Sequence, residues 1–164
     1  MDLEKLKADV SDWIIRWVSV YDPCLDKIPC PFARSALLNM KIDWHWAQDA
    51  KDLKLFLHSI VEQGLSNEVL VVGMDPNMIT STELSYITRQ ANEKWLMPID
   101  IVALEDHPDD PEIIAGAKMN QGTYALLLIQ SKIKLNQASM ILRKQGYYDS
   151  WTQEQIDDVV TWRL

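Results

Sequence analysis

A cysteine between two prolines is the first feature of this chain that could do chemistry. The stretch "IPCPFARSALL", residues 28–38, contains Cys30 just before Pro31, and proline suits the first position of a helix. The spacing predicts a short helix over "FARSALLN" with Cys30 as its N-cap. The positive end of the peptide dipoles lowers the pKa of such a thiol. Cys30 is therefore a candidate nucleophile or redox thiol; the alternative is a small buried residue that caps a helix.

The second feature is an acidic loop with one histidine. It reads "LEDHPDDPE", residues 104–112, and contains His107, Asp109 and Asp110 but no basic residue. An imidazole beside carboxylates suits general acid–base chemistry or a divalent cation. The spacing matches no common metal-binding motif. The alternative is a solvated loop shaped by its two prolines.

Together these residues suggest a Cys–His site that acts on a small molecule or in a redox reaction. Cys30 would be the nucleophile or redox thiol, His107 the general base or thiolate partner, and Asp109 the group that orients the imidazole. Alternatively, Cys30, His107 and Asp110 could hold a divalent metal such as Zn²⁺. A non-catalytic protein that binds or regulates a protein partner is the main rival, so the sequence leaves open whether this is an enzyme.

Other polar residues give weaker indications. His45 lies two residues from Asp43 on the polar side of a predicted strand, so the two side chains point the same way. We expect His45 to lie at the surface or pack against a helix, and His58 to pack beside an apolar stripe. The chain has no glycine-rich phosphate loop, hence no nucleotide-cofactor motif, and no GxSxG elbow of a serine hydrolase.

Composition narrows the class of protein. The 164 residues predict one domain, 1–164, large enough to bury a sizeable core. The net charge of −8 argues against general nucleic-acid or anionic-membrane binding. "SKIKLNQASMILRKQ" holds a local basic cluster, for which a solvated helix face is the simpler interpretation. The expected partners are a small molecule or a protein, and the oligomeric state is unknown.

Location is also an expectation from composition. No apolar run approaches the ~20 residues that cross a bilayer, and the charged start "MDLEKLKADV" is unlike a signal peptide. Both features predict a cytoplasmic protein. Cys24 and Cys30 are the only cysteines; a disulfide could close the small loop between them, whereas a reducing compartment favours free thiols.

Hydrophobic periodicity predicts an α/β fold. The first helix covers 3–19, and three predicted strands, "KIDWHW", "EVLVVGM" and "IDIVALE", alternate with helices that begin after Asp49 and Thr80. Such β-α-β-α-β order favours a small, mainly parallel sheet with additional N- and C-terminal helices. We expect a long helix over 123–145, with a fourth strand at "YALLLIQ" as the alternative. A last helix, "QEQIDDVVTWR", should follow a Ser150–Gln153 capping box. The apolar stripes put Trp13, Trp17, Trp95 and Trp162 in the core.

This layout would bring the two candidate features together. The short helix after Cys30 should reverse the chain and return it toward the carboxyl end of the first strand. In a parallel sheet the loop that holds His107 lies at the same edge, with Asp75 and the helix start at Thr80 as neighbours. We therefore expect Cys30 and His107 to face one cleft.

Two motifs resemble known families. "CPF" at 30–32 is similar to the glutaredoxin active site, but Ala33 stands where the second cysteine would be, so a dithiol mechanism would need Cys24. "CPFA" at 30–33 and "HPD" at 107–109, with Asn120 beyond them, resemble the bacterial domain-of-unknown-function (DUF) 1415 family. The chain also resembles short proteins of tailed phages. The resemblance implies that Cys30 and His107 act together, and it implies no activity.

Overall fold

The computed structural model describes residues 2–164, which form a four-stranded sheet with helices on both faces. The strand order is β1-β2-β6-β3, where β1 and β2 are parallel and β6 runs antiparallel to both of its neighbours. The α/β class is confirmed. The expectation of a mainly parallel sheet is wrong, because β6 lies between β2 and β3 and supplies two antiparallel pairings.

The described chain contains six α-helices and six β-strands. A small hairpin, β4–β5, lies outside the main sheet, and single π-helical turns extend α1 and α4. The bounds are α1 Leu3–Trp13, α2 Ala33–Leu38, β1 Ile42–Trp46, α3 Ala50–Gln63, β2 Val69–Met74, α4 Ser81–Ala91, β3 Ile101–Asp106, β4 Ile113–Ile114, β5 Ala117–Lys118, β6 Ala125–Ser131, α5 Lys132–Lys144 and α6 Gln153–Val159.

β6 occupies the first part of the segment for which a long helix was expected. Ala125–Ser131 forms the strand, and the Ser131 hydroxyl accepts a hydrogen bond from the Lys134 N–H, which caps α5. A central strand is buried on both faces, so its sequence is a continuous apolar run that resembles a buried helix. The alternative of a fourth strand at "YALLLIQ" is the correct one.

The sheet has a hydrophobic core on each face. α3 and α4 cover one face through residues such as Leu57 and Ile87, and we call this the α3/α4 face. α1 covers the other, the α1 face, where Leu6 packs with Val71 and Leu126. Side chains of successive strand residues alternate between the two faces. Within residues 2–164, no helix is both long and apolar enough to cross a membrane.

Most of the predicted helix starts are confirmed. The Asp49 and Thr80 side chains accept hydrogen bonds from the third residue of α3 and α4, and Gly64 ends α3. The last helix begins at Gln153, the first residue of the predicted segment, but its capping box is formed by Thr152 and Gln155 instead of Ser150 and Gln153.

A C-terminal unit of α5 and α6 has a small core of its own. It is built around Tyr147, Tyr148 and Val160. The buried Arg163 guanidinium ties the end of the chain to α5, with hydrogen bonds to the Asn136 and Ser139 side chains. Trp162 is exposed, so the expectation that it lies in the core is wrong.

Candidate functional site

Cys30 does not cap a helix. α2 begins at Ala33 with Phe32 at its N-cap position, and the Cys30 N–H donates to the Val18 carbonyl at 2.8 Å. The Cys30 side chain packs against the core of the α1 face. Burial raises the pKa of the Cys30 thiol, although the N–H groups of Phe32 and Ala33 donate to its sulfur. The expected low thiol pKa is therefore wrong, because desolvation outweighs those two donors.

His107 is buried, and both of its ring nitrogens have backbone partners. Nε2 lies 3.0 Å from the Ile79 carbonyl oxygen, and the Asp109 N–H donates to Nδ1 at 3.1 Å. This network assigns the neutral tautomer with the proton on Nε2. The Asp109 carboxylate lies 4.0 Å from Nδ1 and is 84% exposed. The imidazole therefore joins the end of β3 to the segment before α4 and has no free nitrogen for a substrate.

Cys30 and His107 contact different parts of the fold. Cys30 packs on the α1 face, whereas Ile79, which His107 contacts, belongs to the core of the α3/α4 face. No hydrogen bond joins the two side chains within residues 2–164. The predicted topology put both residues at one end of the strands, but it did not specify which elements each side chain contacts. The catalytic roles of Cys30, His107 and Asp109 stay predictions.

Asn120 organises the acidic loop. Its Nδ2 donates to Asp106 Oδ1 at 2.6 Å, and its Oδ1 accepts from the Glu112 N–H at 2.6 Å. The other Asp106 oxygen accepts from the Gln121 N–H at 2.9 Å. Sequence reasoning noticed Asn120 only through a family resemblance; an isolated Asn after a hairpin gives no local signal of this role.

Two carboxylates of this loop are partly buried. Burial raises the pKa of Asp106, and burial together with nearby carboxylates raises that of Glu112. Asp110 is exposed. Within residues 2–164, no group of three or more His, Cys, Asp or Glu side chains is arranged to hold a metal ion. The metal set of Cys30, His107 and Asp110 therefore has no geometric support.

His45 packs against a helix, as expected. Its ring stacks on Phe56 of α3 with 3.5 Å between centroids and 4° between planes. The Nε2 atom of His45 is buried and has no hydrogen-bond partner within the described chain. Burial lowers the pKa of the imidazole. A cleft of ≈490 Å³ runs past this residue at the edge of the sheet.

The outer face of α5 is an exposed apolar stripe. Ile133, Met140 and Ile141 are 54%, 56% and 51% exposed, and with Gln137 and Lys144 they follow the spacing of one helix face. We call these five residues the α5 stripe. The helix carries four basic residues and no acidic one in a chain of net charge −8. A solvated helix face does not require three large apolar side chains.

The comparisons with known proteins do not assign this chain to a family. No protein-family model, no curated protein and no solved structure matches this chain.

Proposed function

We propose that this protein is a non-catalytic binding protein that docks an acidic, amphipathic segment of a partner protein on the α5 stripe. The observation that carries the proposal is the stripe itself, because three large apolar side chains more than half exposed on one helix face gain free energy when a partner covers them. Burial on that scale is worth roughly 25 cal/mol for each Å² of apolar surface removed from water.

The charge around the stripe selects the chemistry of the partner. Lys134 and Lys144 lie along the stripe, and Lys132 and Arg143 complete a basic helix. Opposite charges across an interface favour association and exclude wrong partners. An apolar helix face with acidic flanks is complementary to this surface. The net charge of −8 disfavours binding to phosphate-rich surfaces. A protein is therefore a better partner than a membrane or a nucleic acid.

Cys30 and His107, the residues considered for catalysis, give less support to an enzymatic function. The two nitrogens of His107 are engaged with the backbone, and the thiol of Cys30 is held in the neutral form by burial. A catalytic base needs a free nitrogen within reach of its proton donor. The binding proposal uses a surface that no other part of the described chain covers.

Site-specific photo-crosslinking tests the proposal. A photoreactive phenylalanine analogue replaces Gln137 in the middle of the α5 stripe, and the same analogue replaces the exposed Glu62 on α3 as the matched control. After irradiation in the cells that produce the protein, mass spectrometry identifies the crosslinked segment. We expect an adduct at position 137 only, with a segment in which Asp and Glu outnumber Lys and Arg and apolar residues repeat at helical spacing.

A charge-reversal variant of the α5 stripe and a vesicle-binding assay complete the test. The double variant Lys134→Glu/Lys144→Glu should lower the adduct at least fivefold, because it removes the complementary charge. Identical adducts at positions 137 and 62, or a crosslinked segment without acidic excess, would contradict the proposal. So would binding of the purified protein to phosphatidylglycerol vesicles that the same double variant abolishes, since the stripe would then be a membrane-binding surface.

A further inference from the structure

The two edges of the main sheet differ in whether their outward-facing backbone N–H and C=O groups form hydrogen bonds. At the β3 edge, the buried Asn92 amide donates Nδ2 to the Ala103 carbonyl at 2.9 Å and accepts the Ala103 N–H on Oδ1 at 2.8 Å. A side chain thus occupies the position that the next strand would take. Such a cap prevents pairing with another chain.

The β1 edge has no such cap. The Val69 N–H donates to the Lys41 carbonyl, and the Ala47 N–H donates to the Gly73 carbonyl. Because backbone direction alternates along a strand, residues 41, 43, 45 and 47 face β2, and the N–H and C=O groups of Ile42, Trp44 and Trp46 face away from the sheet. Within residues 2–164 these outward groups form no hydrogen bond with any other element.

A cleft lies along this open edge. It has a volume of ≈490 Å³ and is lined by Lys7 from the α1 face and by Phe56 and Ser59 from α3, with Trp44 and His45 between them. One strand of backbone fits between helices that flank an open edge, as in proteins that bind by strand addition. The unpartnered ring nitrogen of His45 belongs to the same region.

We propose that the occupant is β1 of a second copy of this chain, paired antiparallel about a two-fold axis at Trp44. In this register Trp44 lies opposite Trp44 of the second copy, and Ile42 lies opposite Trp46. All three are outward-facing, hydrogen-bonding positions, and each such pair exchanges two backbone hydrogen bonds. The two sheets then form one continuous sheet across an isologous interface.

The side chains of β1 are self-complementary in this register. On the α1 face, the register brings together only the apolar side chains of Ile42, Trp44 and Trp46. On the α3/α4 face, Asp43 lies opposite His45 of the second copy, twice per dimer. Asp43 has no side-chain hydrogen bond within residues 2–164, and the partly buried His45 ring forms no salt bridge there, so the register places a carboxylate beside an imidazole. This interface is separate from the α5 stripe, and neither proposal depends on the other.

Sedimentation equilibrium of the purified full chain tests the proposal. We expect the mass of a dimer at micromolar concentration for the native sequence. His45→Glu should weaken the dimer at least tenfold, because two pairs of like charges then face each other. Asp43→Lys should weaken it as well, because it removes the acceptor for His45.

Mixing the two variants tests the register. In an equimolar mixture, the Asp43→Lys and His45→Glu chains should form a mixed dimer. The lysine introduced in one chain then lies opposite the glutamate introduced in the other, and the native Asp43 pairs with the native His45. Recovery of at least tenfold in affinity also shows that both variants fold. The matched control is Glu62→Lys on α3, which places a new positive charge away from β1 and should leave the dimer unchanged.

Three outcomes would overturn the proposal. A monomer for the native chain at 100 µM would leave the edge unpaired. A dimer that both variants leave intact would place the interface elsewhere. Weakened variants that regain nothing on mixing would exclude this register.

Discussion

At the scale of single residues, burial decides the chemistry of the two most distinctive side chains. Cys30 has the local sequence of an activated thiol, yet packing against the α1 face raises its pKa. His107 lies among carboxylates in sequence, yet backbone groups take both of its nitrogens. Desolvation and hydrogen-bond saturation come from tertiary neighbours, so the residue types alone do not indicate reactivity.

Thiol labelling tests the state of Cys30. At pH 7 iodoacetamide should modify the exposed Cys24 at least tenfold faster than Cys30, because the thiolate is the nucleophile and burial disfavours it. Peptide mass spectrometry against time measures both rates in one sample, and Cys24→Ser isolates the slower site. Rapid labelling of Cys30 well below pH 8.5 would contradict this and support the predicted catalytic thiol.

At the scale of elements, local sequence predicts helix ends better than it predicts which element forms. The caps of α3 and α4 are formed by the expected residues, since a cap depends on neighbours within one turn. The choice between helix and strand at 125–131 depends on pairing with β2 and β3, which are distant in sequence. The position of α6 against α5 depends on an anchor at the end of the chain, Arg163.

Removing that anchor should loosen the C-terminal unit. The Arg163 guanidinium also donates Nε–H to the Val159 carbonyl at 2.9 Å, and its η nitrogens reach Asn136 and Ser139. Arg163→Met should lower the free energy of unfolding by roughly 2–4 kcal/mol, because buried acceptors lose a charged donor. Urea unfolding measures the loss, and hydrogen exchange should show faster opening in α5 and α6 than in β2.

Arg163→Lys is the matched comparison. It keeps the charge but lacks the planar fork, so it should recover only part of the stability. Full stability in Arg163→Met would mean that Tyr147, Tyr148 and Val160 hold the unit without the anchor. Full stability in Arg163→Lys would mean that the charge anchors the unit without the planar fork.

At the scale of the whole molecule, close packing of α1 on the sheet joins the N-terminus to the central strands. A Cβ placed on Gly73 of β2 would lie 2.5 Å from one Leu6 methyl carbon and 2.6 Å from the other. Leu6 is fully buried, so this approach defines how closely the helix sits on the sheet. Glycine is required at this point for the close approach.

A double-mutant cycle tests that contact. Gly73→Ala should destabilise the fold by roughly 1–3 kcal/mol through overpacking. Leu6→Ala alone should cost about 2–5 kcal/mol through the cavity it leaves. The double variant should cost at least about 1 kcal/mol less than the two single costs combined, because the new methyl enters the cavity. Additive costs in urea unfolding would contradict a direct contact between these residues.

The sequence by itself determined the α/β class, the three strands that share a direction, and most helix starts, because hydrophobic period and caps act within a few residues. It also identified Cys30 and His107 as unusual. Only the tertiary structure decided that β6 separates β2 from β3, that Cys30 and His107 contact different elements, and that β1 and α5 keep uncovered surfaces. The reason is physical: strand order, burial and the face that a side chain takes depend on contacts between segments far apart in the chain, which no local pattern encodes.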